Sequence, residues 1–161
     1  MDRLWTPWRY RYVSTTGSAS GCIFCEKAAS SDDRGNYVVL RAERNFAILN
    51  LYPYTSGHLM IVPYEHVPTL AEAHPETLQE MMRLIARAER ALRQTYNPDG
   101  LNIGMNIGES AGAGVAGHIH MHVLPRWTGD GSFMTTVSET RVLPETLETT
   151  YERLKAALST A

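Results

Sequence analysis

The sequence predicts an α+β fold: a mainly antiparallel sheet of about five strands, with one long helix and a C-terminal helix. Three observations carry this. There are five short segments rich in branched and aromatic residues, one long helical stripe lies between the third and fourth of them, and no regular strand–helix–strand alternation appears. Residues 1–36 open with the aromatic and basic LWTPWRYRY and pass through a Gly/Ser-rich stretch and a cysteine pair without sustained periodicity. They read as an irregular arm ahead of a core at 37–161, the whole 1–161 forming a single domain. Tyr37–Arg41, Asn45–Asn50 and His58–Val62 then read as a three-strand meander, punctuated by Pro53, Gly57 and Pro63. From Pro75 to Tyr96 the apolar residues Leu78, Met81, Met82, Ile85, Ala88, Leu92 and Tyr96 recur at helical spacing behind a proline suited to the first turn. After the turn NPDG, Leu101–Ile107 and Ile119–Pro125 read as the last two strands, separated by the glycine-rich GESAGAGVAG. Pro144, Glu145 and Glu148 then open a helix that carries Leu147, Tyr151, Leu154 and Leu158 on one side.

Composition narrows the function classes. The chain has 161 residues, 43% hydrophobic and 20% charged, with 15 Lys plus Arg against 17 Asp plus Glu for a net charge of −2. That balance offers no general attraction to nucleic acid or to an anionic membrane, so any phosphate site has to be local. No apolar run approaches the ~20 residues of a membrane span. Arg3, Arg9 and Arg11 interrupt the N-terminus where a signal peptide needs a continuous apolar core, so the expected location is cytoplasmic. Cys22 and Cys25, the only cysteines, are too few and too close for a disulfide framework. A C-x-x-C in this setting is a zinc half-site, a redox dithiol or a pair of inert thiols.

The sharpest feature is GHIHMHVLPR at 117–126, where three of six histidines alternate within five residues. On a strand, His118, His120 and His122 project from one face, leaving Ile119, Met121 and Val123 for the core. At roughly 3.3 Å per residue, His118 and His122 lie about 13 Å apart, too far to share one ion on a straight strand. This argues against a metallohydrolase and for different work at each position.

The run His118-Ile119-His120-Met121-His122-Val123-Leu124 resembles the signature of the histidine triad (HIT) superfamily of nucleotidyl hydrolases and transferases. NLYPYTSGHLMIVPYEH at 50–66, LWTPWR at 4–9 and SAGAGVAGHIHMHVLPRWTGD at 110–130 are similar to its bacterial, diadenosine tetraphosphate phosphorylase-like branch. The resemblance implies a HIT-like fold in which His120 is the nucleophile and His122 donates a hydrogen bond to a phosphoryl or bridging oxygen. A neutral imidazole suits that attack, since its reference pKa is about 6.5. By the same resemblance Asn50 meets the ribose hydroxyls, Leu49 and Leu51 flank the nucleoside, and Asn106 lies near the phosphates. The loop contributes Ser110, Gly112, Ala113 and Gly114 to a phosphate cradle. Trp127 stacks on a base or packs at an interface. The hydrolase branches carry a glutamine where this chain has Ala113 or Gly114, a departure that points to inorganic phosphate as acceptor. Cys22, Cys25, His66 and His118 match a closed Cys2His2 structural zinc site, with Mg2+ arriving on the substrate phosphates. His58 and His74 are read as structural or surface residues.

The expected activity is cleavage of dinucleoside polyphosphates, diadenosine tetraphosphate plus phosphate giving ATP and ADP through an AMP–histidine intermediate. A homodimer is the expected assembly. The alternatives are hydrolysis of such dinucleotides or of nucleoside phosphoramidates, or a nucleotide-binding regulator without turnover.

Overall fold

The computed structural model describes residues 21–131 and 143–160; the LWTPWR motif lies outside them. Five strands, β1 (Val38–Arg41), β2 (Asn45–Leu49), β3 (Leu59–Pro63), β4 (Gly100–Gly104) and β5 (Met121–Arg126), form one sheet in the order β1-β2-β3-β5-β4. Every neighbouring pair is antiparallel, as the sequence predicts. Among the described residues three α-helices complete it: α1 (Ile23–Ala29), α2 (Pro75–Tyr96) and α3 (Leu147–Thr160). Alternation decides which side chains face which layer. Ala47 and Leu49 of β2, Leu59 and Ile61 of β3 and Val123 of β5 pack beneath Met81, Ile85 and Leu92 of α2 and Leu154 and Leu158 of α3. Phe46, Ile48, Met60 and Val62 turn the other way and meet Phe24 of α1. Because β2 and β3 are buried on both faces, they read as near-continuous apolar runs.

The structure corrects the reading of 1–36 as irregular, because α1 forms within it. Its seven residues are too few to declare a 3.6-residue period. Tertiary contacts hold it. Arg41 donates to the carbonyls of Ala28, Lys27 and Ser30 at the C-terminal end of α1 and pairs with Asp33 at 2.7 Å. β4 ends at Gly104 and not at Ile107, and β5 starts at Met121, two residues later than expected.

Left-handed backbone shapes the turns after α2 and before β3. Asn97 closes α2 at φ 44°, which asparagine tolerates. Gly57 leads into β3 at φ +81°, and a Cβ there would lie 2.8 Å from a Tyr96 ring carbon. Glycine is thus required on both counts just before His58.

Candidate active site

His122 sits on β5 opposite Met60 on one side and Gly104 on the other, so its ring rises from the sheet face that carries Phe24. His120 precedes the strand, with ring centroids 5.0 Å from His122 and 4.9 Å from Phe24. His118 is fully buried and lies 5.5 Å from Phe24, centroid to centroid. The expected alternation therefore holds although only His122 is in regular strand: Ile119 and Val123 point into the helix-side core.

The hydrogen bonds assign a tautomer to each ring. His120 Nδ1 lies 2.9 Å from the His118 carbonyl, which can only accept, so Nδ1 carries the proton and Nε2 keeps its lone pair. Burial holds the imidazolium of His120 below its ordinary pKa, so the ring is neutral at neutral pH. His122 takes the opposite form. The Tyr54 backbone N–H donates to His58 Nδ1 at 3.2 Å, which makes His58 Nε2–H the donor across 2.9 Å to His122 Nδ1. His122 Nε2 must then carry a proton. Burial, followed by the neighbouring histidines, pushes His58 down to about 3; burial and His120 push His122 down to about 4. The pair works as neutral rings. His120 offers a lone pair and His122 an N–H, a nucleophile beside a hydrogen-bond donor.

His58, read from the sequence as a structural or surface residue, is the further histidine that the structure joins to the triad. It is 1% exposed and touches His122 across 64 residues of sequence. The available signal was parity: His58 lies two residues before Met60, which pairs with His122, so the two histidines share a sheet face. His74, by contrast, is the exposed residue that precedes α2, 3.9 Å from Glu65.

Cys22, Cys25, His66 and His118 come together with ligand atoms all within 4.8 Å of one another. His118 Nδ1 is 3.2 Å from Cys22 Sγ and 3.7 Å from Cys25 Sγ, and His66 Nδ1 is 3.3 Å from Cys25 Sγ. A tetrahedral zinc with S and N ligands separates its donors by roughly 3.4–3.8 Å, so this set is near enough to hold such an ion. His118 donates Nε2–H to the Pro63 carbonyl at 2.9 Å, leaving Nδ1 as its ligand atom. Burial, and then Cys22, raise the Cys25 thiol above its ordinary value, a cost that a bound cation offsets.

The remaining predicted residues divide. Asn50 lies at the end of β2, where Tyr52 N–H donates to its side-chain oxygen at 2.9 Å and its amide nitrogen lies 3.5 Å from His58 Nδ1. Asn106 donates to the Gly112 carbonyl at 3.4 Å, tying the end of the β4 segment to the glycine loop. Ser110 belongs to a single 3-10 turn (Glu109–Ala111) that Gly112 closes at φ 88°; Ala113 and Gly114 come next along the loop. Leu51, the next residue after Asn50, is 39% exposed. Leu49, 1% exposed, packs in the helix-side core, so the expectation that it flanks a nucleoside is corrected by its parity on β2. Trp127 meets Tyr96 edge-on at 6.4 Å, a packing contact at the end of α2.

The HIT domain family matches residues 33–129. The chain is 38% identical over 158 residues to AP-4-A phosphorylase of Mycobacterium tuberculosis, covering 93% of this chain and 80% of that protein. It is 30% identical over 98 residues to an asymmetrical bis(5'-nucleosyl)-tetraphosphatase of Schizosaccharomyces pombe, 61% of this chain and 53% of that one. Among solved structures, a Zn-bound histidine triad family protein from Mycobacterium smegmatis superposes with a TM-score of 0.69 at 35% identity, covering 86% of this chain and 94% of that one. With its triad, its sheet and these relatives in agreement, the chain belongs to the HIT domain family.

Proposed function

We propose that the chain is an adenylyl transferase that splits dinucleoside polyphosphates, diadenosine tetraphosphate and inorganic phosphate giving ATP and ADP. The observation that carries this is the opposed tautomers of His120 and His122. His120 Nε2 forms a bond to the α-phosphorus while the bond from that phosphorus to the bridging oxygen breaks. The departing oxygen, on ATP, takes a hydrogen bond from His122 Nε2–H. A phosphate oxygen then attacks the same phosphorus, the N–P bond breaks, and ADP leaves with His120 neutral again. Phosphate as acceptor is supported by the similarity to the mycobacterial phosphorylase and by Ala113 and Gly114 standing where hydrolases carry glutamine. The likeness to the fission-yeast tetraphosphatase favours a second reading, with water as acceptor.

In this reading Asn50 and Leu51 meet the nucleoside, while Asn106, Ser110, Gly112, Ala113 and Gly114 surround the phosphates. Cys22, Cys25, His66 and His118 hold zinc, which supplies no chemistry of its own. It ties the first turn of α1, through Cys22 and Cys25, to the residue whose carbonyl orients His120. Mg2+ enters on the substrate phosphates. The protein works in the cytoplasm as a symmetric dimer, which light scattering of the purified chain tests.

Product analysis with diadenosine tetraphosphate decides the acceptor. ATP plus ADP, formed only when phosphate is present and absent for His120→Ala, supports the phosphorylase. ATP plus AMP regardless of phosphate replaces it with the hydrolase.

A further inference from the structure

Among the described residues, nothing covers the far half of the sheet face that carries His122. α1 covers the β1–β3 half through Phe24, whereas beyond His122 a trough of about 290 Å³ runs along β5 and β4. Its lining is set by register. His122, Leu124 and Arg126 alternate onto this face of β5, and Asn102 of β4 lies opposite Leu124. Tyr54, whose ring stacks on His122 at 6.3 Å, forms the wall at the near end.

The chemistry of the trough is uneven along its length. Near His122 it is lined by Tyr54, Ile103, Gly104 and the amide of Asn106, and at its far end stands Arg126, the one formally charged side chain among the described residues lining it. Arg126 Nη1 donates to Asn102 Oδ1 at 2.6 Å, and its Nε and Nη2 donate to Asp130 at 2.5 and 2.8 Å. These bonds hold the guanidinium plane in place. A guanidinium has five N–H groups, so one on each terminal nitrogen is left over from these bonds. At roughly 3.3 Å per residue, Arg126 lies about 13 Å along β5 from His122.

We propose that this trough is the subsite for the leaving nucleotide, with Arg126, braced by Asn102 and Asp130, binding a phosphate distal to the scissile bond. The inference rests on the adenylyl-transfer reading of the triad. There the leaving oxygen sits at the N–H of His122, so whatever is attached to that oxygen extends away from His122, and the trough is the open space that begins there. Its length places Arg126 beyond the first bridging phosphate. It therefore reads the polyphosphate tail and not the inorganic phosphate that attacks the same phosphorus. Tyr54 offers a ring to the chain as it leaves the catalytic histidines.

The test compares two adenylyl donors that share the α-phosphorus and differ in leaving group: diadenosine tetraphosphate and the p-nitrophenyl ester of AMP. Arg126→Ala is expected to lower kcat/KM for the tetraphosphate about tenfold more than for the ester, the scale of one charge-assisted hydrogen bond. Arg126→Lys is expected to recover part of that loss. The KM for inorganic phosphate should move less than about threefold, the size of an exposed charge contact. Asn102→Asp, at an exposed position on the edge strand, places a negative charge at the same end. It should shift the substrate ratio in the same direction, even if Arg126→Ala fails to fold. Equal losses on both donors, or a raised KM for phosphate with the tetraphosphate unaffected, overturn the subsite. Wild-type protein that cleaves the ester but not the tetraphosphate overturns the polyphosphate class. Wild-type protein that cleaves neither overturns adenylyl transfer itself.

Discussion

Replacing His58 isolates what the tautomer network contributes. His58→Ala removes the Nε2–H that donates to His122 Nδ1 at 2.9 Å, and with it the acceptor of the Tyr54 backbone N–H. His122 Nδ1 is then free to hold the proton itself, which takes the donor away from Nε2 and from the leaving oxygen. A neutral hydrogen bond is worth about 1 kcal/mol and an unpaired buried group costs roughly 1–3 kcal/mol. At 1.36 kcal/mol per tenfold, kcat should fall roughly ten- to a hundredfold. His58 lies behind His122, 1% exposed, so KM should change less than about threefold. His58→Gln, which restores a donor amide, should recover part of the loss. The assay is steady-state release of ATP from diadenosine tetraphosphate, with a melting curve for each variant. A kcat within threefold of wild type in a folded His58→Ala protein, or a loss confined to KM, would refute the positioning role.

Cys22→Ser should take the bound zinc from one per chain to none by elemental analysis and lower the melting temperature. Wild-type protein that carries no zinc, and melts like the variant, contradicts the Cys2His2 site. Gly57→Ala puts a Cβ 2.8 Å from Tyr96 at φ +81°, and should cost about 1–3 kcal/mol, or several degrees of melting temperature. An unchanged melt would mean that the turn relaxes freely. His58 and His122 are depressed from 6.5 to about 3 and about 4, so below pH 6.5 the unfolded chain binds protons that the folded chain refuses. Stability should be flat above about pH 7 and fall on acidification by about 1.4 kcal/mol per unit for each ring. Stability that rises on acidification from pH 6.5 to 5 excludes the neutral pair.

The fold was legible where pattern and layer coincide. The stripe from Pro75 to Tyr96 and the alternation at His118–Val123 each state a period, and the structure places α2 and the two faces of the β5 segment accordingly. What escaped the sequence was set by contacts distant along the chain. α1 is held by Arg41 and by the packing of Phe24, neither visible in a seven-residue window. Leu49 reads equally as core or wall until the register with Leu59 assigns its face. His58 looked like a strand-edge histidine because its partner lies 64 residues away. The grouping of Cys22, Cys25, His66 and His118 was legible through resemblance alone, since spacings of 41 and 93 residues between donors carry no local signal.

The central claim is that His120 carries the adenylyl group between two displacements. Rapid acid-free quenching of the protein with diadenosine tetraphosphate in the absence of phosphate, followed by digestion and mass spectrometry, reads this directly. The expected result is an adenylyl adduct on His120 that disappears, with formation of ADP, when phosphate is added. An adduct on another residue, or turnover in wild type with no adduct while His120→Ala retains activity within tenfold, would contradict it.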